Sequence, residues 1–366
     1  MILPKEPDMV LAAGLFLIFL IVLLGPFLAK RIEHNLEAFL LSMGILAVTL
    51  DTALLTVTAE AADEILPSWN LRLVEKAIVD PIEITLAVLI AGLLFHYGRD
   101  RLKGLTDSML KKVPLKAFVF LMVVALGFLS SIITAIIAAL LLVEIVGALR
   151  LDRRTEVNLV IIACFAIGLG AALTPVGEPL STIVIKTKLQ EDFWYLFHQI
   201  GRYVIPGVIA LGIIGLFSVG QKEEAGGSPA QTGERETLAD VGIRAARVYV
   251  FVVALVLLGT GFTPIVEWYI KFLGPGTLYW VNTTSAILDN ATLASAEITR
   301  GMTELQLNSA LMALLISGGM LIPGNIPNII AANKLRIASK EWARLGVPLG
   351  AGMLAVYFMA LFVLKV

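Results

Sequence analysis

The chain has 366 residues, 58% of them hydrophobic and only 16% charged, with a mean hydropathy of +0.88. Soluble domains lie nearer about 45–50% apolar and about 25% charged, so the composition calls for a polytopic membrane protein. The net charge of −1 gives no basic footprint for nucleic acid. The lone Cys164 excludes a disulfide framework, and His34, His96 and His198 are too scattered to form a metal-ligand spacing. There is no nucleotide-binding loop or nucleophile elbow, so neither an enzyme nor a cofactor is expected.

A helix needs roughly 20 apolar residues to cross about 30 Å of hydrocarbon. In chain order, continuous candidates fall at 9–29, 36–58, 77–98, 199–219, 246–270 and 344–364. The first is too long for a signal-peptide core and is expected to stay in place. Segments 155–187 and 303–333 are apolar but interrupted by Pro and Gly, and 116–149 and 276–299 carry polar residues at their centres. The basic stretch Arg99, Arg101, Lys103, Lys111, Lys112 and Lys116 is expected in the cytoplasm. The acidic 59–73 is then outside, and both termini face out. The polar, Gly-rich stretch 220–247 reads as a flexible connector. The expected organisation is N-terminal scaffold spans over 1–73, a first repeat over 74–219, a linker over 220–245 and a second repeat over 246–366.

The repeat rests on a constant offset of 148 residues. Gly170, Leu173, Pro175, Pro179, Lys186 and Trp194 match Gly318, Leu321, Pro323, Pro327, Lys334 and Trp342. By the charge-based orientation the two copies run in opposite directions. Inverted repeats with matching Pro/Gly interruptions point to the midplane site of a secondary transporter. Proline removes a backbone donor, and freed backbone groups are tolerated in a membrane only inside protein or along a wet cavity.

The first break reads Leu173-Thr174-Pro175-Val176-Gly177-Glu178-Pro179 and the second Ile322-Pro323-Gly324-Asn325-Ile326-Pro327-Asn328. Each follows a segment with a polar centre. The first holds Ser130, Ser131 and Thr134. The second holds Asn282 to Ser285, then Asp289, Asn290 and Thr292. Carboxylates are costly at membrane depth and need neutralising, which marks Glu178 and Asp289 as sodium and proton carriers. Sodium, a hard cation, takes oxygen ligands. Thr174, Asn290, Thr292, Ser130, Ser131, Asn325 and Asn328 can supply them. Asp51, deep in the second span, is a candidate proton relay.

At these residues the chain resembles the ion transporter superfamily. That group includes D-type sodium/proton antiporters, arsenite-efflux permeases and sodium-coupled dicarboxylate carriers. Ser285-Ala-Ile-Leu-Asp289-Asn290-Ala-Thr292 looks like the antiporters' hairpin motif, and Leu173-Thr-Pro-Val-Gly-Glu178 is similar to their broken-helix motif. The overall fit is nearest to a small family of cation transporters of unknown function. The resemblance implies an all-α fold of inverted repeats, each with a re-entrant hairpin and a discontinuous helix, and a homodimer in a prokaryotic plasma membrane. The first polar tip departs from the pattern, having neither Asn nor acid. The function this implies is sodium (or other monovalent cation)/proton antiport by alternating access. The alternative is sodium-coupled symport of a small anion such as a carboxylate.

Overall fold

The computed structural model describes residues 7–28, 32, 35–58, 68–110, 113–189, 191–219, 237–286 and 290–364. Among these there is no β-strand. Three helices open the chain: α1 (Met9–Leu28), α2 (Leu36–Thr58) and the 40-residue α3 (Leu71–Leu110). The expected span 77–98 is therefore the middle of a longer helix. Its flanks are rich in Leu, Lys and Arg, good helix formers that carry the ladder into polar territory.

The segment 116–149 divides into α4 (Leu115–Ile133) and α5 (Ala135–Leu149). The joint is Thr134, with φ 75° and ψ 148°. A β-branched residue at positive φ is strained. Asp152 then caps α6 (Arg153–Ala171) by accepting from the Thr155 amide at 3.0 Å. Bonds from Thr155 hold the Asp152 carboxyl below the usual carboxylate range. After the first break come α7 (Pro179–Thr182), continuing as a π-helical turn Ile183–Leu189, and α8 (Tyr195–Ser218).

Beyond the connector, α9 (Leu238–Gly261) starts earlier than expected. The last residues assigned to the linker, 238–245, are helical because Thr237 and Asp240 form a capping box. The expected span 246–270 also ends early. Pro264 begins a separate short helix, α10 (Thr263–Trp268), since proline cannot continue the ladder of α9.

The segment 276–299 forms α11 (Pro275–Val281), a 3₁₀ turn Asn282–Ala286 and α12 (Asn290–Glu297). Thr303 caps α13 (Glu304–Gly318) with a second capping box, to Gln306. The second break leads to α14 (Ile326–Leu335), then α15 (Ser339–Phe358) with a π-helical turn Met359–Leu364.

Among the described residues, six helices are long and apolar enough to cross a membrane: Glu37–Leu54 of α2, α4, α6, α8, α9 and the C-terminal Ser339–Leu364. They differ in surroundings. The apolar window of α6 is 78% buried inside the protein, that of the C-terminal helix 17%. Helix α13 is likewise buried along nearly its whole length. A helix apolar on all sides belongs in an interior, and α6 and α13 form that interior. Helices α4 and α8 pack on α6, and α11 and α15 on α13. Helix α9 packs against α2 and α3. The halves meet where α14 lies on α5 and α6, and where α12 lies on α7.

Candidate functional site

The first break leaves the helix after Ala171 in a series of tight turns. Leu173 N–H donates to Gly170 O at 3.1 Å and Gly177 N–H to Thr174 O at 3.2 Å. Glu178 is extended (φ −153°, ψ 162°) and precedes the proline that starts α7. Its side chain is buried, 4% exposed. The break is sewn to the strained turn at Thr134. The Thr174 hydroxyl donates to Ser131 O, and Ala135 N–H donates to Gly177 O at 2.7 Å. Thr182 on α7 donates back to Pro175 O, so the break is also closed on itself.

Two glycines make this closeness possible. A Cβ on Gly170 would lie 1.7 Å from Gly127 O, and one on Gly177 would lie 1.9 Å from Ala171 O. Backbone there touches backbone, which only glycine allows.

The second break is built alike. Gly319 N–H donates to Ile316 O at 3.1 Å and Met320 N–H to Ser317 O at 2.9 Å, and the 3₁₀ turn Ile322–Gly324 follows. Asn325 is extended (φ −154°, ψ 146°) at the start of α14, as Glu178 is before α7. Asn328 Nδ2 reaches back to Gly318 O at 2.8 Å and Leu321 O at 2.9 Å. Trp342, fully buried, donates from Nε1 to Gly319 O at 3.1 Å.

The polar residues expected from the sequence distribute unevenly. Ser130 Oγ donates to Gly127 O at 2.6 Å and Ile167 O at 3.0 Å, and Ser131 Oγ to Phe128 O at 2.7 Å. Their protons serve helix carbonyls, and only their oxygens' remaining lone pairs face elsewhere. The Asn325 amide lies against Gly168, where a Cβ would stand 2.7 Å from Nδ2. This places Asn325 one residue from the carbonyl that Ser130 contacts. Asn290 lies beside Gly318, where a Cβ would stand 3.5 Å from its Nδ2. Ser285 O lies 2.7 Å from the Cβ position of Gly324. Asn290 and the second break are thus together, as are Thr174, Glu178 and the turn at Thr134. Asp289 lies outside the described residues. Thr292 belongs to α12, with its side chain outside the description.

Among the described residues, three of the buried atoms without a hydrogen-bond partner lie on these elements: Ser181 Oγ on α7, Asn290 Nδ2 on α12 and Asn328 Oδ1 on α14; others lie on α2 and α3. Such orphans carry a desolvation cost and leave bonding capacity that an ion or water can complete. Asp51 is fully buried and bonded to Ser68, while the neighbouring Trp69 is held by Thr52 and Thr49 at 3.0 Å each. Asp51 therefore ties the start of α3 to α2, and its described partner is not a residue of the breaks.

One carboxylate escapes the sequence reading. Glu297, at the end of α12, is 2% exposed and accepts from Asn282 Nδ2 at 2.7 Å. No periodicity links residues fifteen apart, and only the acid's position beside a long apolar stretch could have flagged it.

Six apolar helices of spanning length around a buried polar centre fit an integral membrane protein of the helical class. Within that class, the chain belongs to the DUF1646 family, described as a protein of unknown function, whose model matches residues 12–364. No curated protein matches it.

Proposed function

We propose that this protein is a secondary active transporter that exchanges sodium, or another monovalent cation, for protons. The observation that carries the reading is the pair of helix breaks, with Glu178 and Asn325 each extended and buried at the start of a half-helix. Orphaned buried polar atoms on α7, α12 and α14 support it. Interrupted helices are tolerated at membrane depth only where the freed groups are used or enclosed.

In this reading the segments 116–149 and 276–299 are re-entrant hairpins in inverted repeats, and the chain is a member of the ion transporter superfamily. Glu178 and Asp289 bind cation and proton in turn. Thr174, Asn290, Thr292, Asn325, Asn328, Ser130 and Ser131 contribute oxygen ligands. The protein works as a homodimer in a prokaryotic plasma membrane, with its termini outside.

The test is proton flux in sealed proteoliposomes with an acidic, dye-loaded interior. Sodium or lithium added outside is expected to alkalinise the lumen, whereas choline is not. Asp289→Asn and Glu178→Gln are each expected to abolish the flux with folding intact. Absence of flux with every cation, in folded protein, overturns the reading.

One observation favours a second reading. Asn290 Nδ2 is a buried donor with no hydrogen-bond partner among the described residues, and an anion would satisfy it. Sodium-dependent uptake of a small carboxylate without proton movement would select symport.

A further inference from the structure

Glu297 is buried at the far end of the short helix that begins with Asn290. Its hydrogen bond comes from a neutral amide, Asn282 Nδ2 at 2.7 Å, and among the described residues it forms no ion pair. The bond is one link of a chain. Asn282 O accepts from Ser317 Oγ at 2.8 Å, and the next residue, Gly318, gives its carbonyl to Asn328 Nδ2 at 2.8 Å. Glu297 is therefore joined to the second break through Asn282 and Ser317, and helix α12, which carries Asn290 and Glu297, packs on α7, which starts after Glu178.

The elements packed on α12 do carry charges. They are Lys186 and Lys188 on the π-helical turn, Asp240, Arg244 and Arg247 on α9, Glu267 on α10 and Glu304 on α13. None of the described ones bonds to Glu297, and nearby Arg300 donates from Nε to Leu189 O at 3.1 Å instead. An ionised carboxylate buried in protein with only an amide for company is costly. The charge is relieved either by a proton on the carboxyl group or by a cation that comes to it.

We infer that Glu297 is a further charge-bearing ligand of the transport site, neutralised in turn by the transported monovalent cation and by a proton. This rests on the cation-exchange reading above.

Glu297→Gln separates the charge from the hydrogen bond, because its amide oxygen still accepts from Asn282. In the proteoliposome assay this variant is expected to lose at least tenfold in exchange rate, or to need at least tenfold more sodium for half-saturation. Glu297→Asp is expected to keep measurable exchange. Rate and half-saturation in Glu297→Gln equal to wild type would overturn the inference while leaving the exchange reading intact. Absence of flux in the wild type would remove the exchange reading, and this inference with it.

A measurement on the unaltered protein covers a variant that does not fold. Wild-type protein in detergent is treated with dicyclohexylcarbodiimide with and without sodium, and the labelled carboxyls are located by mass spectrometry. Labelling of Glu297 that sodium suppresses, and choline does not, supports the inference. Labelling indifferent to sodium, or none at Glu297, overturns it.

Discussion

At Gly170 the backbone of α6 lies so close to that of α4 that a methyl group would meet Gly127 O at 1.7 Å. The obstacle is main chain and cannot rotate away. Gly170→Ala is expected to destabilise by about 1–3 kcal/mol or more, as overpacking does. Its melting temperature in detergent should fall clearly below that of Gly242→Ala, whose Cβ would meet nothing within 4 Å. At Gly242 alanine also gains helix propensity. The two breaks could be read residue by residue, since Pro175 and Pro179 recur as Pro323 and Pro327 and proline states its own effect on a helix. The strain at Thr134 could not, because a threonine is the wrong residue to suggest positive φ. The partnership of Glu297 with Asn282 was hidden for a different reason: it depends on how a short helix folds back against its own entry.

Between elements, the start of α6 is clamped to the end of α14. Arg153 donates to Leu335 O and Arg336 O at 2.9 Å each, and pairs with Glu341 at 3.0 Å and Glu156 at 3.1 Å. Arg336 is the left-handed residue that ends α14, so the guanidinium serves as that helix's C-terminal cap. Arg153→Ala is expected to cost roughly 1–2 kcal/mol. The half-exposed ion pairs contribute about 0–1 kcal/mol and the carbonyl bonds about 0.5–1.5 each before relaxation to water. Arg153→Lys should lose nearly as much, since one ammonium cannot reproduce the fork. Thermal unfolding in detergent at low and 1 M salt checks both. Salt should weaken the wild type only slightly, because the carbonyl bonds are less sensitive to screening. Element boundaries were partly legible. The start of α9 was available in the Thr237-x-x-Asp240 pattern, and Pro264 announced the end of the span. The clamp joins residues 183 apart, and nothing local foretells it.

For the molecule as a whole, the orientation proposed from charge places 220–247 and residue 301 on opposite sides of the membrane. In a Cys164→Ala background, a cysteine at Gly301 is expected to react with a membrane-impermeant maleimide in intact cells. One at Ser228 should react only in inside-out vesicles. The reverse pattern would invert the topology, and equal labelling from one side would break the parity on which the antiparallel repeats depend. Composition was enough to place the chain among helical membrane proteins. The crossing of α12 over α7 and of α14 over α5 was beyond it, because apolar faces alone do not say which partner they choose.

The unequal burial of the spans has a consequence for the bilayer. Helix α6 is largely enclosed by protein, whereas the C-terminal helix shows most of its apolar window to the outside. A change in membrane thickness therefore acts on the perimeter and not on the broken helices. Mismatch would be taken up by tilt of the outer helices, at fractions of a kcal/mol per Å. The centre is insulated from the lipid in which it works, and a shift in acyl-chain length should be felt as reorientation of the rim around a core of unchanged shape.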